Sequence, residues 1–195
     1  MRRASWRATT IPIFHRGFRD AGVLEMIVKN QNIVDDDWIV LRLNENDTPE
    51  GVAVPSGKVI VPLKVWQAQR EQLQARADIG VWLDSDERAE ELQGDLQRFA
   101  VIAVNFPKFA DGRGYSIAHQ LRVRLGYRGE LRAVGDVLRD QMFYMKRVGF
   151  DAFQPRADKD IHAVLKGLSD FSVCYQASTD EALPLFRRVQ RGGVA

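Results

Sequence analysis

The sequence predicts an α/β protein whose core is a parallel β-sheet of repeated strand–helix units, either an open sheet or a partial barrel with a TIM-like edge. Short apolar runs alternate with amphipathic segments through residues 65–182, and the links between them are short. The run at residues 100–106 is almost continuously apolar, which is typical of a strand buried on both faces of a parallel sheet. The units are too few for a complete eight-stranded barrel unless the N-terminal strands or a second copy contribute.

A small β-rich layer is expected at residues 26–64, before the repeated units. Two short apolar runs that follow Met26 surround an Asn-rich break and predict a hairpin. Further strands are predicted at residues 38–43 and 59–63, with a loop containing Pro and Gly between them. Residues 1–25 are expected to be an extension, with Met26 as the usual start of the protein.

Strands and helices then alternate through the core. Strands are predicted at the short apolar runs, residues 79–83, 100–106, 131–134, 150–153 and 171–175. Helices are predicted in the intervals, at residues 65–76, 89–99, 116–126, 137–149 and 161–168. The basic tail at residues 183–195 is expected to lie outside this core.

Composition limits the class of protein. The chain has 195 residues, of which 45% are hydrophobic and 28% charged, enough for one substantial core. Its apolar runs are too short to span a bilayer and no secretory signal opens it, so we expect a cytoplasmic protein without a membrane partner. The one cysteine, Cys174, cannot form an intramolecular disulfide and is expected to be buried in a strand. Basic residues concentrate at the two chain ends, which does not indicate a nucleic-acid-binding face.

The sequence predicts neither a metal nor a cofactor. His15, His119 and His162 are scattered and lack the spacing of metal ligands. The glycine patterns match neither a P-loop nor a dinucleotide-binding turn, and no Gly-x-Ser-x-Gly elbow is present.

The longest polar link follows the most apolar strand, at residues 105–116. Its candidate binding residues for an anion or substrate are Lys108, Arg113, Tyr115 and Ser116. Asp111 is a candidate catalytic residue, because its carboxylate could orient Arg113 or act on a proton. The alternative is an ordinary turn in which Ser116 is the N-cap of the next helix and the two cations are solvated.

A second polar cluster lies at the equivalent place after the next strand, at residues 135–141. Asp136 is the second candidate catalytic residue and Arg139 a further candidate anion-binding residue, although Asp136 is also a candidate N-cap. The corresponding positions after two other strands hold polar residues as well, namely Asp84, Asp86 and Gln154. Because parallel strands end at one edge of a sheet, we expect these side chains to share a rim.

Three stretches together resemble a bacterial family of unknown function. They are residues 106–116, 129–141 and 149–153, which read Phe-Pro-Lys-Phe-Ala-Asp-Gly-Arg-Gly-Tyr-Ser, Gly-Glu-Leu-Arg-Ala-Val-Gly-Asp-Val-Leu-Arg-Asp-Gln and Gly-Phe-Asp-Ala-Phe. The similarity extends from about Met26 to Arg188. Members of this family are sometimes labelled oxidoreductases, and their genes typically lie beside those of assimilatory sulfite reductase.

The resemblance implies a role in sulfate assimilation, in support of sulfite reduction, and it brings no established catalytic residue with it. Family members often carry Asp where this chain has Asn105 and Cys where it has Val148. A catalytic acid or a redox thiol at those positions would therefore be missing here. No flavin, nicotinamide or iron–sulfur fingerprint supports the oxidoreductase label.

Two hypotheses for the function stay open. The first is an accessory protein that docks on sulfite reductase or its electron donor through the charged rim. The second is a small-molecule enzyme, of lyase or isomerase type, that acts on an anionic substrate at the rim. A pocket enclosing Lys108, Asp111, Arg113 and Asp136 would favour the enzyme, and a flat exposed rim would favour docking. A purely structural subunit is the third alternative, and a homo-oligomer is compatible with each.

Overall fold

The computed structural model describes residues 25–188, and within them eight strands form one curled, half-barrel sheet. In chain order the strands are β1 (Glu25–Lys29), β2 (Asn32–Asp36), β3 (Ile39–Val40), β4 (Val59–Pro62), β5 (Ile79–Leu83), β6 (Val101–Phe106), β7 (Glu130–Gly135) and β8 (Ala152–Phe153). The predicted α/β class with a mostly parallel sheet is confirmed. The expected N-terminal extension lies outside the described residues except for Glu25, and so does the end of the expected basic tail.

Helices follow most of the parallel strands. They are α1 (Leu63–Ala68), α2 (Arg70–Leu73), α3 (Arg113–His119), α4 (Arg139–Val148), α5 (Ile161–Lys166) and α6 (Leu185–Arg188). Single 3₁₀ turns lie at Ala89–Leu92, Leu96–Arg98 and Gly167–Ser169, and a π-helical turn at Gln120–Arg124 continues α3. No helix in this described part of the chain is long and apolar enough to cross a membrane.

The order of the parallel strands in the sheet follows their order in the chain. The strands β3 to β8 pair in succession, each parallel to the one before it. The N-terminal hairpin closes the other side, because β1 pairs antiparallel with β8 and β2 lies at the edge. Its turn is the predicted one: Asn30 and Gln31 have φ angles of 48° and 65°, as a two-residue hairpin turn requires.

The two faces of the sheet differ in what they contact. Val59, Val81 and Ile102 belong to the large apolar cluster that joins the sheet to the helices. The alternate residues Ile60 and Ala103 belong to a smaller cluster on the opposite face, with Trp38. The alternation follows from the two-residue period of a strand, and the double burial explains why residues 100–106 are almost continuously apolar.

The opposite face also buries an ion-pair network. Arg132 of β7 is 1% exposed, and its Nη1 lies 2.8 Å from Asp36 Oδ2 at the end of β2. A second guanidinium nitrogen of Arg132 lies 2.7 Å from Glu130 Oε1, and Lys29 reaches the other oxygen of Glu130 at 2.6 Å. The network therefore ties the hairpin to the parallel sheet.

The strand predicted at residues 171–175 is wrong. That segment is irregular, and Phe171, Val173 and Tyr175 are exposed. Both edges of β8 are already paired, with β7 and β1, so no position beside β8 is left for a following strand. The burial of Cys174 in a strand is wrong for the same reason, since its side chain is partly exposed in the irregular segment.

Two predicted helices form differently. The helix expected at residues 89–99 is two separate 3₁₀ turns, with Gly94 and Asp95 between them. The helix expected at residues 65–76 is divided at Gln69, whose side-chain amide donates to the carbonyls of Pro49 and Val52 at 2.7 and 2.9 Å. Apolar periodicity finds the buried residues of such segments but does not distinguish a continuous helix from short turns.

Candidate functional site

The carboxyl ends of β5 to β8 lie along one edge of the sheet, because these neighbouring strands are parallel. The links that leave these ends carry most of the polar residues that the sequence singles out. We call this edge the rim and define it as residues 84–87, 107–113, 136 and 154–158.

The links after β6 and β7 meet on the rim. The backbone N–H of Phe109 donates to Asp136 Oδ2 at 2.8 Å. Gln141 Nε2 donates to the Phe109 carbonyl at 3.3 Å, while Gln141 Oε1 accepts from the backbone N–H of Leu138 at 2.9 Å. One side chain of the second link and one from the first turn of α4 thus hold the N–H and the carbonyl of Phe109.

Arg113 connects the link after β6 to the link after β5. Its Nε and Nη2 lie 3.0 and 2.7 Å from the two carboxylate oxygens of Asp111, and Nη2 also donates to Ser85 Oγ at 2.8 Å. The hydrogen bonds from Arg113 hold the pKa of the Asp111 carboxyl well below its usual range, and the same contact raises the pKa of Arg113. The two residues therefore form a paired ionic unit, and an anion that binds Arg113 would compete with Asp111.

The end of β6 makes its own contact with the end of β5. Asn105 is buried, and its Nδ2 donates to Asp84 Oδ1 at 3.0 Å. Gly135 lies against Asn105 with φ +97°, and a Cβ there would lie 2.5 Å from the Phe106 carbonyl oxygen. The close approach of β7 to Asn105 thus needs a glycine.

The last rim contact comes from the link after β8. Arg156 Nη1 lies 2.9 Å from Asp136 Oδ1, and Arg156 Nε lies 2.6 Å from Asp158 Oδ1. The hydrogen bond from Arg156 lowers the pKa of Asp158. Asp136 therefore accepts one hydrogen bond from each neighbouring link, which fixes the orientation of its carboxylate.

Lys108 and Phe109 form the exposed apex of the rim. The Phe109 side chain is 50% exposed, although its backbone N–H and carbonyl are bonded to Asp136 and to Gln141 of α4. Lys108 is exposed too, and it makes no ion pair with any residue from 25 to 188.

Three predicted binding residues lie away from the rim contacts. Tyr115 packs edge-on against Phe106 and Tyr144, with ring centroids 5.3 and 5.0 Å apart, and burial raises the pKa of its phenol. Arg139 Nη2 lies 2.6 Å from Asp170 Oδ1. Ser116 is exposed on the first turns of α3, on the side of Tyr115.

The two capping roles considered as alternatives are wrong. The helix α3 begins at Arg113 with Gly112 at the N-cap, so Ser116 lies inside the helix. The N-cap of α4 is Leu138, and the carboxylate of Asp136 bonds to Phe109 and Arg156 instead.

Sequence reasoning missed three contributors to the rim, Ser85, Arg156 and Asp158. Arg156 follows Gln154 by two residues in a link already singled out, so a search for cations there would have found it. Gln154 itself donates to Glu25 Oε2 at 2.7 Å and connects β8 to β1, whereas Asp86 is exposed. Within residues 25–188 no group of three or more His, Cys, Asp or Glu side chains is placed to hold a metal ion.

Comparison with known proteins gives one family. The model of a bacterial family described as "Bacterial protein of unknown function (DUF934)" matches residues 80–186 of the chain. The match begins in β5 and includes the rim. No curated protein and no solved structure matches the chain.

Proposed function

The chain belongs to this DUF934 family of bacterial proteins, and from that premise we propose that it is a cytoplasmic accessory protein of assimilatory sulfite reduction. It docks through the rim on a sulfite reductase or on the electron donor of that enzyme. The choice of partner rests on the resemblance described above, to a family whose genes lie beside those of assimilatory sulfite reductase.

The observation that supports docking is that the side chain of Phe109 is exposed while hydrogen bonds fix its backbone. Its ring is half exposed, while Asp136 and Gln141 hold the backbone on both sides of it. An aromatic anchor that is ordered before binding loses little conformational entropy when a partner covers it, and such anchors dominate interface energies. The adjacent Lys108 makes no ion pair within the described residues, and its charge would orient an acidic partner surface.

Co-purification tests this proposal. We expect the full chain to co-purify with a sulfite reductase hemoprotein or its electron donor, and Phe109→Ser to weaken the complex about thirtyfold, the effect of losing an interface anchor. Phe171→Ser is the matched control, since Phe171 is 65% exposed and lies outside the rim. Unchanged sulfite reduction in a deletion strain, or equal weakening by both variants, would contradict the proposal.

A small-molecule enzyme at the rim is the second candidate. The observation in its favour is Lys108, which makes no ion pair within the described residues and lies in the same link as the carboxylate of Asp111. Such an enzyme, a lyase or isomerase, would hold its anionic substrate with Lys108 and Arg113 and use Asp111 or Asp136 for proton transfer. The pairing of Arg113 with Asp111 works against it, because the substrate would have to displace a bidentate carboxylate.

Soaking with sulfite, sulfate and phosphorylated metabolites distinguishes the two candidates. The enzyme requires one of these anions to bind at the rim and Arg113→Ala to abolish that binding. A rim that binds none of them, on a chain that still co-purifies with its partner, leaves docking as the function.

A further inference from the structure

A groove lies on the outer surface of the helix layer, between α3 with its π-helical turn and α4. Its volume is about 370 Å³, and its lining residues are Tyr115, Ser116, His119, Gln120, Arg124, Tyr144 and Val148. Sites for small molecules have volumes of roughly 300–1,000 Å³, so the groove is large enough for a compact ligand. It is separate from the rim contacts of Asp111, Arg113 and Asp136.

Four polar side chains of the groove are free of contacts with other polar groups of the described chain. Ser116, His119, Gln120 and Arg124 make no side-chain hydrogen bond or ion pair with any residue of the described chain. Arg122, two residues before Arg124, shows the opposite behaviour: it donates to the carbonyls of Gly149, Tyr127 and Gly129 and pairs with Asp151. Arg122 is thus fully engaged by the fold, whereas Arg124 is available to a ligand.

The π-helical turn explains why His119 and Arg124 line the same groove. In a regular α-helix, residues five positions apart point about 140° away from each other. Here the backbone N–H of Leu125 donates to the carbonyl of Gln120 at 3.0 Å, five residues earlier, and this wider turn brings such residues to one side. Single π-helical turns of this kind occur frequently at functional sites.

The lining combines the guanidinium of Arg124 with an aromatic side. His119 and Arg124 lie on α3 and its π-helical turn, and no Asp or Glu is among the lining residues. Tyr115 and Tyr144 form an edge-on pair with ring centroids 5.0 Å apart, and Tyr144 is 55% exposed, which leaves ring surface for a ligand. A guanidinium recognises oxyanions through charge-assisted hydrogen bonds, and aromatic rings pack against planar groups.

We propose that this groove binds a small organic anion that carries a planar ring. Arg124 holds the anionic group, with Ser116, His119 and Gln120 as additional hydrogen-bonding groups. The pair formed by Tyr115 and Tyr144 packs against the ring. The site is independent of docking at the rim.

Titration of the full chain with phenyl phosphate tests the proposal, with inorganic phosphate and phenol as partial probes. We expect saturable binding of phenyl phosphate, at least about tenfold weaker binding of either partial probe, and a similar loss in Arg124→Gln and in Tyr144→Leu. Arg128→Gln is the matched control: Arg128 is exposed, lies four residues beyond Arg124 and does not line the groove. It removes the same charge and should change the affinity little.

Three results would overturn the proposal: no saturable binding of phenyl phosphate, inorganic phosphate binding as tightly as phenyl phosphate, or equal weakening by Arg124→Gln and Arg128→Gln. Tyr144→Leu keeps the test valid if Arg124→Gln does not fold. The rim variants Phe109→Ser and Arg113→Ala should leave phenyl phosphate binding unchanged, so failure here and failure of docking are distinguishable.

Discussion

Gly135 is a residue at which both the backbone conformation and the surrounding space require a glycine. With φ +97°, it would place a Cβ 2.5 Å from the Phe106 carbonyl oxygen and 2.7 Å from Asn105 Oδ1. We expect Gly135→Ala to lower the free energy of unfolding by roughly 1–3 kcal/mol, the usual cost of a strained backbone position. Urea unfolding measures this, with Gly94→Ala as the control, because a Cβ at Gly94 meets nothing within 4 Å.

Arg132 is the cation shared by two buried carboxylates, and among the described residues its loss leaves Asp36 without an ion pair and Glu130 with Lys29 alone. Asp36 and Glu130, the two carboxylates that it pairs with, have side chains only 2% and 7% exposed. We expect Arg132→Met to destabilise the fold by about 3–5 kcal/mol, as measured by chemical unfolding. Lys58→Met breaks the exposed pair with Asp37 and should cost less than about 1 kcal/mol. Similar decreases in the free energy of unfolding of the two variants would contradict this prediction.

The ionisation of Asp111 should make the stability of the fold depend on pH in the acid range. Because hydrogen bonds from Arg113 lower its folded-state pKa below the unfolded value of about 3.9, its contribution to stability is present above that value and disappears as the pH falls further. We expect Asp111→Asn to lower the melting temperature near pH 7 and to have no effect at the acid end of a pH series. A difference that stays constant down to acid pH would show that the charge is not the cause.

Residue types and positions predicted much of the rim but not its pairings. Lys108, Asp111, Arg113 and Asp136 all lie where parallel strands end, as the strand–helix pattern implies. The pairing of cations with carboxylates depends on the order of the strands in the sheet. A single sequence does not reveal that order. Ser85 illustrates this, because it contacts Arg113 only after β5 and β6 have paired.

The irregular segment at residues 171–184 is held mainly through one residue of α4. The carbonyl of Arg147 accepts from Ser178 Oγ and from Thr179, and its guanidinium reaches the carbonyl of Gln176 and the carboxylate of Asp180. We expect Arg147→Gln to accelerate amide hydrogen exchange in this segment severalfold while leaving β6 and β7 protected. Lys146→Gln, one residue earlier, is the control and should leave the exchange of the segment unchanged.

Strands and helices were predicted correctly where an apolar pattern extends over many residues. The prediction failed where pairing with a distant strand determines the structure of a segment. The stripe on α4 and the apolar run of β6 each hold enough buried residues to define the element. Residues 171–175 alternate like a strand, yet β1 occupies the edge of β8 that they would need. The pairing of β1 with β8 joins residues far apart in the chain, and local pattern does not reveal it.

At the scale of the whole molecule, one apolar cluster connects the hairpin, the parallel sheet and the helices. It includes Val28 of β1, Val61 of β4 and Leu168 near the end of the described helical layer. We therefore expect one cooperative unfolding transition, in which far-ultraviolet circular dichroism and tryptophan fluorescence give the same midpoint. Trp66 reports on the helix side and Trp82 on the opposite face, so two separate midpoints would show that the faces unfold independently.

The strand order has a consequence for how the chain folds as it is synthesised. From β3 onward each new strand pairs with the one that left the ribosome just before it, so this part of the sheet can grow one strand at a time. The hairpin of β1 and β2 is synthesised before the parallel strands, but it cannot take its position in the sheet until β8, the last of the eight described strands, has emerged. Until then Arg132 cannot form its buried ion pair with Asp36. A chain stalled before β8 would thus expose both the hairpin and the edge of β7, and such unpaired strand edges are prone to aggregation.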